Sequence, residues 1–201
     1  MTMQQMALGL TGLLIVEEQH NPGFDSETRL NLRDFRIGDD DQFLKLYSVR
    51  KTARGGTLGT VITANWIQNP NYDHAPGALV RLRIAATDTT RIYRLSIKGA
   101  SGKIIAMDEH LLREPIDWPT EAHPLILGAA QRAEVAIVMA SQENEYMQIN
   151  HHSGARINPI ATIRNRGQPV MRNLNELEDL PHNEVPDIDL NSSELIKLLL
   201  G

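Results

Sequence analysis

Between Gly77 and Met139 the sequence alternates. Val80, Leu82 and Ile84 are separated by Arg81 and Arg83, and Tyr93, Leu95 and Ile97 by Arg94 and Ser96. Val135, Ile137 and Met139 repeat the pattern. Successive side chains of an extended chain point to opposite faces, so a period of two marks strands with one apolar face. Several such strands separated by turns predict an antiparallel β-sandwich. No helical period survives in this block, and the rest of the chain must pack around it.

The chain has 201 residues, enough for one β domain with extensions. A net charge of −5 argues against a general nucleic-acid binder, which would carry a basic face. There is no cysteine, which excludes disulfides, cysteine-ligated metal sites and a thiol nucleophile within these residues. No run of about 18 apolar residues predicts a membrane span. The apolar stretch Ala7 to Val16 lacks a basic flank and leads into Glu17 and Glu18, so it reads as a strand rather than a signal peptide.

Leu8 to Val16 is nearly continuous in apolar character, which predicts a strand buried on both faces, with Gly9 and Gly12 pointing to close backbone approach or a bulge. Residues 19–28 form a loop around Asn21-Pro22-Gly23. Arg29 to Ile37 alternates again, and Phe43 to Val49 is a further candidate strand. Between them, Gly38-Asp39-Asp40-Asp41 reads as a solvated turn, because no calcium-loop spacing follows. Residues 50–58 are basic and glycine-rich, but β-prone Val61 to Thr63 follows where a phosphate cradle needs a helix, so a flexible loop is expected. Trp66 and Tyr72 read as the lid of a core. His110 to Pro124 is a long connection in which Pro115, Pro119 and Pro124 forbid a helix. The acidic residues in and beside it, Asp108, Glu109, Glu114 and Asp117, read as solvated rather than as a catalytic carboxylate pair. Tyr146 to Asn150 and Pro159 to Arg164 close the domain, and 167–186 read as a polar linker. Asn191, with Glu194 three residues on, predicts the N-cap of a short amphipathic C-terminal helix through Leu195, Ile196 and Leu198 to Leu200.

Several of these segments, in this order, resemble the central domain of a three-domain multicopper oxidase of the laccase-like, bacterial copper-efflux-oxidase group. Gln5 to Val16 is similar to the segment that closes the first domain, and Leu30 to Ile37 to the first strand of the second. Leu79-Val80-Arg81-Leu82-Arg83-Ile84 resembles the family's Leu-Arg-Leu-Arg strand. Tyr93 to Ile97, Ile104 to Asp108 and Leu111 to Pro115 resemble the strands after it. Leu127-Gly128-Ala129-Ala130-Gln131-Arg132-Ala133-Glu134-Val135 resembles the Gly-x-x-Gln-Arg-x-Asp/Glu-Val signature. The likeness spans about residues 4–165, and one departure is Ala64-Asn65-Trp66 where the family has an Asn-Gly turn.

The resemblance implies an all-β, Greek-key, cupredoxin-like sandwich. Residues 1–18 would be the closing strand of a preceding domain, 19–166 the cupredoxin-like domain, and 167–201 a linker and short helix. It places copper in the parent enzyme, on a Cys and His site and on His-x-His pairs in the flanking domains. This sequence has neither feature, so no catalytic, cofactor-binding or metal residue is assigned and no cofactor is expected in this chain. His151 and His152 are adjacent and would point to opposite faces of a strand. His20, His74, His110, His123 and His182 fall in predicted loops. Arg132 is expected to pin a turn, by pairing with Glu134 or by reaching loop carbonyls.

Two functions follow. One is a copper-free scaffold between copper-bearing neighbours, in a parent that oxidises substrate and reduces dioxygen to water. The other is a free-standing β-sandwich interaction module. The expected partners are neighbouring cupredoxin domains or a second copy, through the N-terminal strand. The location implied by the resemblance is periplasmic or extracellular.

Overall fold

The computed structural model describes residues 2–118, 122–177, 180, 189–192, 194 and 196–197. Among the described residues eleven strands form two sheets. They are β1 (Ser26–Phe35), β2 (Val61–Ala64), β3 (Asn71–His74), β4 (Leu79–Ala86), β5 (Tyr93–Lys98) and β6 (Ser101–Met107). β7 (His110–Asp117), β8 (Leu125–Leu127), β9 (Arg132–Val138), β10 (Tyr146–Ser153) and β11 (Arg156–Asn165) complete the set. A six-stranded sheet has the order β2-β1-β4-β9-β6-β7, and a five-stranded sheet the order β3-β11-β10-β5-β8. β1 and β4 run parallel, as do β11 and β3, so the chain crosses between sheets instead of meandering. This is the all-β sandwich that the alternation predicts.

The core lies between the sheets. Leu30, Leu82, Ile84, Val135 and Ile137 project from one side and meet Tyr93, Leu95, Leu127, Met147, Ile149 and Ile163 from the other. Pairing in register fixes this: Leu30 lies opposite Ile84, and Leu82 opposite Val135, so one-residue alternation along each strand builds a continuous apolar face.

The central strands β1 and β4 are buried on both faces rather than half-buried. The cause is cover on the outer face of the six-stranded sheet. Residues 170–177 return across it, with Val170 N–H donating to Pro76 O (2.8 Å) and Arg172 N–H to Gly77 O (3.2 Å). A 3₁₀ turn (Leu174–Glu176), capped by Asn173, seats Leu174, Leu177 and Leu180 on Phe24, Leu79, Ile105 and Ala136. This part of the expected linker is therefore packed, because Leu79, Ile105 and Ala136 on that face need apolar cover.

Several local expectations are corrected. Leu8 to Val16 is not a strand: helix α1 (Thr2–Ala7) is followed by a course with no ladder partner among the described residues. Leu14 and Val16 are 95% and 84% exposed there, so the apolar pattern has no sheet to join. Phe43 to Val49 gives only an isolated bridge between Phe43 and Ile37, and helix α2 (Val49–Thr52) follows it. The expected connection from His110 becomes β7, an edge strand, where Pro115 is tolerated because one side of the strand needs no donor. Most of the expected C-terminal helix lies outside the described residues, which show only a 3₁₀ turn at Leu190–Ser192.

The departure at Ala64-Asn65-Trp66 still makes a hairpin turn. Asn65 and Trp66 both take left-handed φ, 52° and 64°, and Ala64 and Ile67 exchange hydrogen bonds across it. Positive φ at both central residues is what a type I′ turn requires, and Trp66 holds the place where glycine is favoured.

Leu82 is completely buried at the middle of β4. Leu82→Ala is expected to lower unfolding stability by about 2–5 kcal/mol, read from the urea midpoint. A loss below about 1 kcal/mol would place this strand outside the core.

Candidate functional site

The outer face of the six-stranded sheet carries an ionic lattice. β4 directs Arg81 and Arg83 outward, and β9 places Glu134 opposite Arg83. β1 adds Glu27 opposite Arg81. Glu134 accepts hydrogen bonds from both arginines, one oxygen to each. Arg83 Nε donates to Glu27 Oε2 (2.6 Å), and Glu27 also takes Arg29. Arg81 Nη1 reaches Glu18 at 2.6 Å, and Arg83 approaches the same carboxylate at 3.6 Å. The Arg81 guanidinium also lies over the Phe24 ring, 5.4 Å from its centre. Its side chain is only 6% exposed, so each acidic partner offsets a desolvation cost.

Glu18 ties the N-terminal course to this face. Farther up, Thr11 Oγ1 donates to Thr87 Oγ1 (3.3 Å), while Gly9 lies against Phe35 and Trp66. Between the course and the sheet lies a groove of about 570 Å³, walled by Leu13, Ile15, Arg83, Glu134, Leu111 and Leu180. Burial pushes the Glu18 and Glu27 carboxyls up. Hydrogen bonds and the positive charge of Arg81, Arg83 and Arg29 outweigh it, so both lie below the usual range.

The histidines are spent on the scaffold. His74, half-buried on β3, uses both ring nitrogens across the sandwich edge: Nδ1 with Ser26 Oγ (2.7 Å) and Nε2 with Thr28 Oγ1 (2.6 Å). Burial lowers its pKa, with Asp73 partly opposing. His151 faces the core, where its ring meets Tyr93 edge-on at 5.3 Å and Nδ1 accepts the Arg94 N–H at 3.1 Å. Burial, then the charge of Arg91, lowers it to about 4. His152 points to the other face and pairs with Ser96 Oγ (2.6 Å), so the adjacent histidines diverge as the strand geometry requires. His20, His110 and His123 are exposed, and His182 lies outside the described residues.

Arg132 does pin a turn, with a different acid from the one expected. Nη1 donates to Ala130 O (2.9 Å) and Nη2 pairs with Glu109 (2.8 Å), leaving Glu134 to the β4 arginines. Asp108 Oδ1 accepts the Arg132 N–H (2.8 Å), so the β6–β7 turn is fixed to the start of β9. Glu109 is thus an ion-pair partner and Asp117 lies near Lys103 (3.9 Å), so these acids serve neighbouring cations.

Solved structures share this architecture. A multicopper oxidase from Pseudomonas thermotolerans matches with a TM-score of 0.78 and 29% identity, over 96% of this chain and 44% of that one. The chain is a cupredoxin-fold relative of the multicopper oxidases. A multicopper oxidase from Pseudomonas parafulva gives a TM-score of 0.77 at 26% identity, over 96% of this chain and 45% of that one. Among curated proteins, the cell division protein FtsP of Edwardsiella tarda (strain FL6-60) is 31% identical over 143 residues, 69% of this chain. FtsP of Proteus mirabilis (strain HI4320) is 27% identical over 150 residues. The chain spans 29% and 31% of the length of these two relatives. No family model matches the sequence.

Copper, the metal this family implies, does not fit the donors present. Blue copper needs a thiolate, and the sequence has no cysteine. Among the described residues no group of three or more His, Asp or Glu side chains is arranged to hold a metal ion, and His74, His151 and His152 each already hold a hydrogen-bond partner. No helix among them is long and apolar enough to cross a membrane.

Sequence reasoning singled out Arg132 but missed the lattice. The signal was present as Arg-x-Arg on a strand that also reads as core: two arginines there require acidic partners brought from elsewhere.

Because the Glu18 pKa is depressed in the folded chain, its contribution exists above the ordinary carboxylate range and is lost as pH falls through the folded value. Glu18→Gln is expected to cost about 0.5–1.5 kcal/mol near neutral pH and clearly less at about pH 3.5, by urea unfolding at both. An equal loss at both would remove the ionic account of this contact.

Proposed function

We propose that this chain is the copper-free central domain of a multicopper-oxidase-like protein, serving as scaffold between two neighbouring cupredoxin domains. The observation that carries the reading is one of coverage: the match takes in 96% of this chain and less than half of the oxidase, 44%. In the proposed parent, residues 1–18 would complete a preceding domain and 19–166 form the central one. Residues 167–201 would lead onward. The described geometry supports this division. The N-terminal course and the returning residues 170–177 cross the same outer face, one held by Glu18 and the other by Leu174 and Leu177, with Leu180 beside them. Two neighbours joined through these segments would be fixed relative to one sheet. The exposed residues Leu10, Leu14 and Val16 on the N-terminal course would be covered by the preceding domain or by a second copy.

The parent would take electrons singly from a reducing substrate at copper in the flanking domains and reduce dioxygen to water. This domain would supply wall to the substrate approach and no ligand. A periplasmic or extracellular location follows from the same kinship.

A second reading rests on the curated relatives, which carry the name of cell division proteins. There the sandwich would act by binding a partner, with no redox role.

Both readings predict that the isolated chain, incubated with copper and desalted, retains less than stoichiometric metal by elemental analysis and shows no oxidase activity. Tightly held copper with a visible absorption band would overturn the copper-free reading. To separate the two, the chain extended at both ends would be assayed for dioxygen uptake with copper present. Uptake supports the oxidase parent, and its absence supports the binding protein.

A further inference from the structure

Three arginines are buried among the described residues: Arg33 (2% exposed), Arg81 (5%) and Arg91 (6%). Arg81 meets Glu134 and Glu18, and Arg91 meets Asp34. Arg33 has no carboxylate partner among the described residues. Its one hydrogen bond there runs from Nη1 to Thr87 O (2.8 Å), and its Cζ lies 5.5 Å from the centre of the Phe35 ring. Its Nε is sealed from solvent and finds no acceptor. Through this same Nε edge Arg81 grips Glu134 and Arg91 grips Asp34.

Alternation along β1 places Asn31, Arg33 and Phe35 on the outer face of the six-stranded sheet. Asp34 turns to the opposite face, where it is committed to Arg91 and Gly59. The N-terminal course roofs the outer row. A Cβ at Gly9 would stand 3.2 Å from the Phe35 and Trp66 rings, and Thr11 Oγ1 meets Thr87 Oγ1 (3.3 Å) and Asn31 Nδ2 (3.5 Å). Residues 9–11 therefore pass over Arg33, which lies between Asn31 and Phe35. Just before this roof, the Tyr47 hydroxyl donates to Met3 O (2.8 Å) and holds α1 in place. The hydroxyls beside the guanidinium are already engaged: Thr63 donates to Arg33 O (3.1 Å) and Thr87 to Asn31 Oδ1. Asn31 Nδ2 has only its long contact to Thr11, so it is a second donor with capacity left.

A guanidinium keeps its charge at any working pH, so Arg33 cannot relieve its burial by losing a proton. An unbalanced buried cation is costly, and the face of one aromatic ring offsets only part of that. A water accepts the Nε proton but leaves the charge unbalanced. An anion with two oxygens side by side does both, because Nε–H and Nη2–H run parallel and match a carboxylate fork. We infer that Arg33, roofed by residues 9–11 and flanked by Asn31, is a binding site for one small carboxylate. Two sources carry that chemistry. One is a free carboxylate no larger than the closed roof admits. The other is an Asp or Glu side chain inserted by a neighbouring domain, and only this source rests on the reading of the chain as a central domain.

The test is urea unfolding of the full chain and of Arg33→Met near pH 7, in sodium chloride and in sodium formate at about 0.1 M each. In chloride Arg33→Met, which removes the buried charge and keeps the bulk, is expected to match or exceed the unaltered chain. In formate the unaltered chain is expected to gain roughly tenfold in its folding equilibrium constant, as a dissociation constant of about 10 mM requires. The variant is expected to gain less than about twofold, so the order of the two reverses. Arg50→Met, which removes an exposed cation, is expected to keep the full gain. If Arg33→Met fails to fold, Arg33→Lys serves, because it keeps the charge, loses the fork and should lose most of the gain. An unaltered chain that does not respond to formate overturns the site. So does an equal gain in Arg33→Met or Arg33→Lys, or an Arg33→Met clearly less stable than the unaltered chain in chloride. The chain extended at both ends separates the sources. A formate gain kept there assigns the site to a free carboxylate. A gain lost there, with Arg33→Met now destabilising in chloride, assigns it to a neighbour's side chain. Failure of the central-domain reading leaves the result on the unextended chain standing.

Discussion

Two arginines on a strand that is buried on both faces govern much of this structure. Arg81 and Arg83 cannot be hidden under other segments without acidic partners, because an unpaired buried cation costs several kcal/mol. Glu134 and Glu27 arrive through the adjacent strands, and Glu18 arrives on the N-terminal course. The same sheet face is apolar on its other half, around Leu79, Ile105 and Ala136, and there Leu174, Leu177 and Leu180 cover it. One face is thus divided between an ionic and an apolar contact, and each binds a different crossing segment. That division fixes the paths of both segments.

The inner face is an ordinary sandwich core, and its chemistry is quiet by construction. His151 is buried neutral against Tyr93, and His74 is saturated by two hydroxyls. Even the charged end of the sandwich is turned inward, with Asp34 and Arg91 gripping the main chain of one loop residue.

The core strands were legible in the sequence because alternation is local. β4, β5, β9 and most of β1 follow from it directly, and the missing cysteine bears on copper without any structure. What was not legible depends on distant partners. Leu8 to Val16 has the composition of a strand, but a strand needs a neighbouring edge, and none of the described residues offers one. β7 was legible only through the resemblance of Leu111 to Pro115, because the prolines read as a connection, and Pro115 is tolerated at an edge beside an irregular register. The tie between Asp34 and Arg91 spans 57 residues, and that between Arg81 and Glu134 spans 53. Alternation marks Arg81 as outward-pointing, but only tertiary structure reveals that outward is covered.

The account stands most directly on the coupling between Arg81 and Glu134. A double-mutant cycle with Arg81→Met and Glu134→Gln, read by urea unfolding near neutral pH, measures it. A favourable coupling of about 1 kcal/mol or more is the expected result, the double change costing that much less than the two single changes summed. Strictly additive losses would contradict the claim that this lattice holds the outer face together.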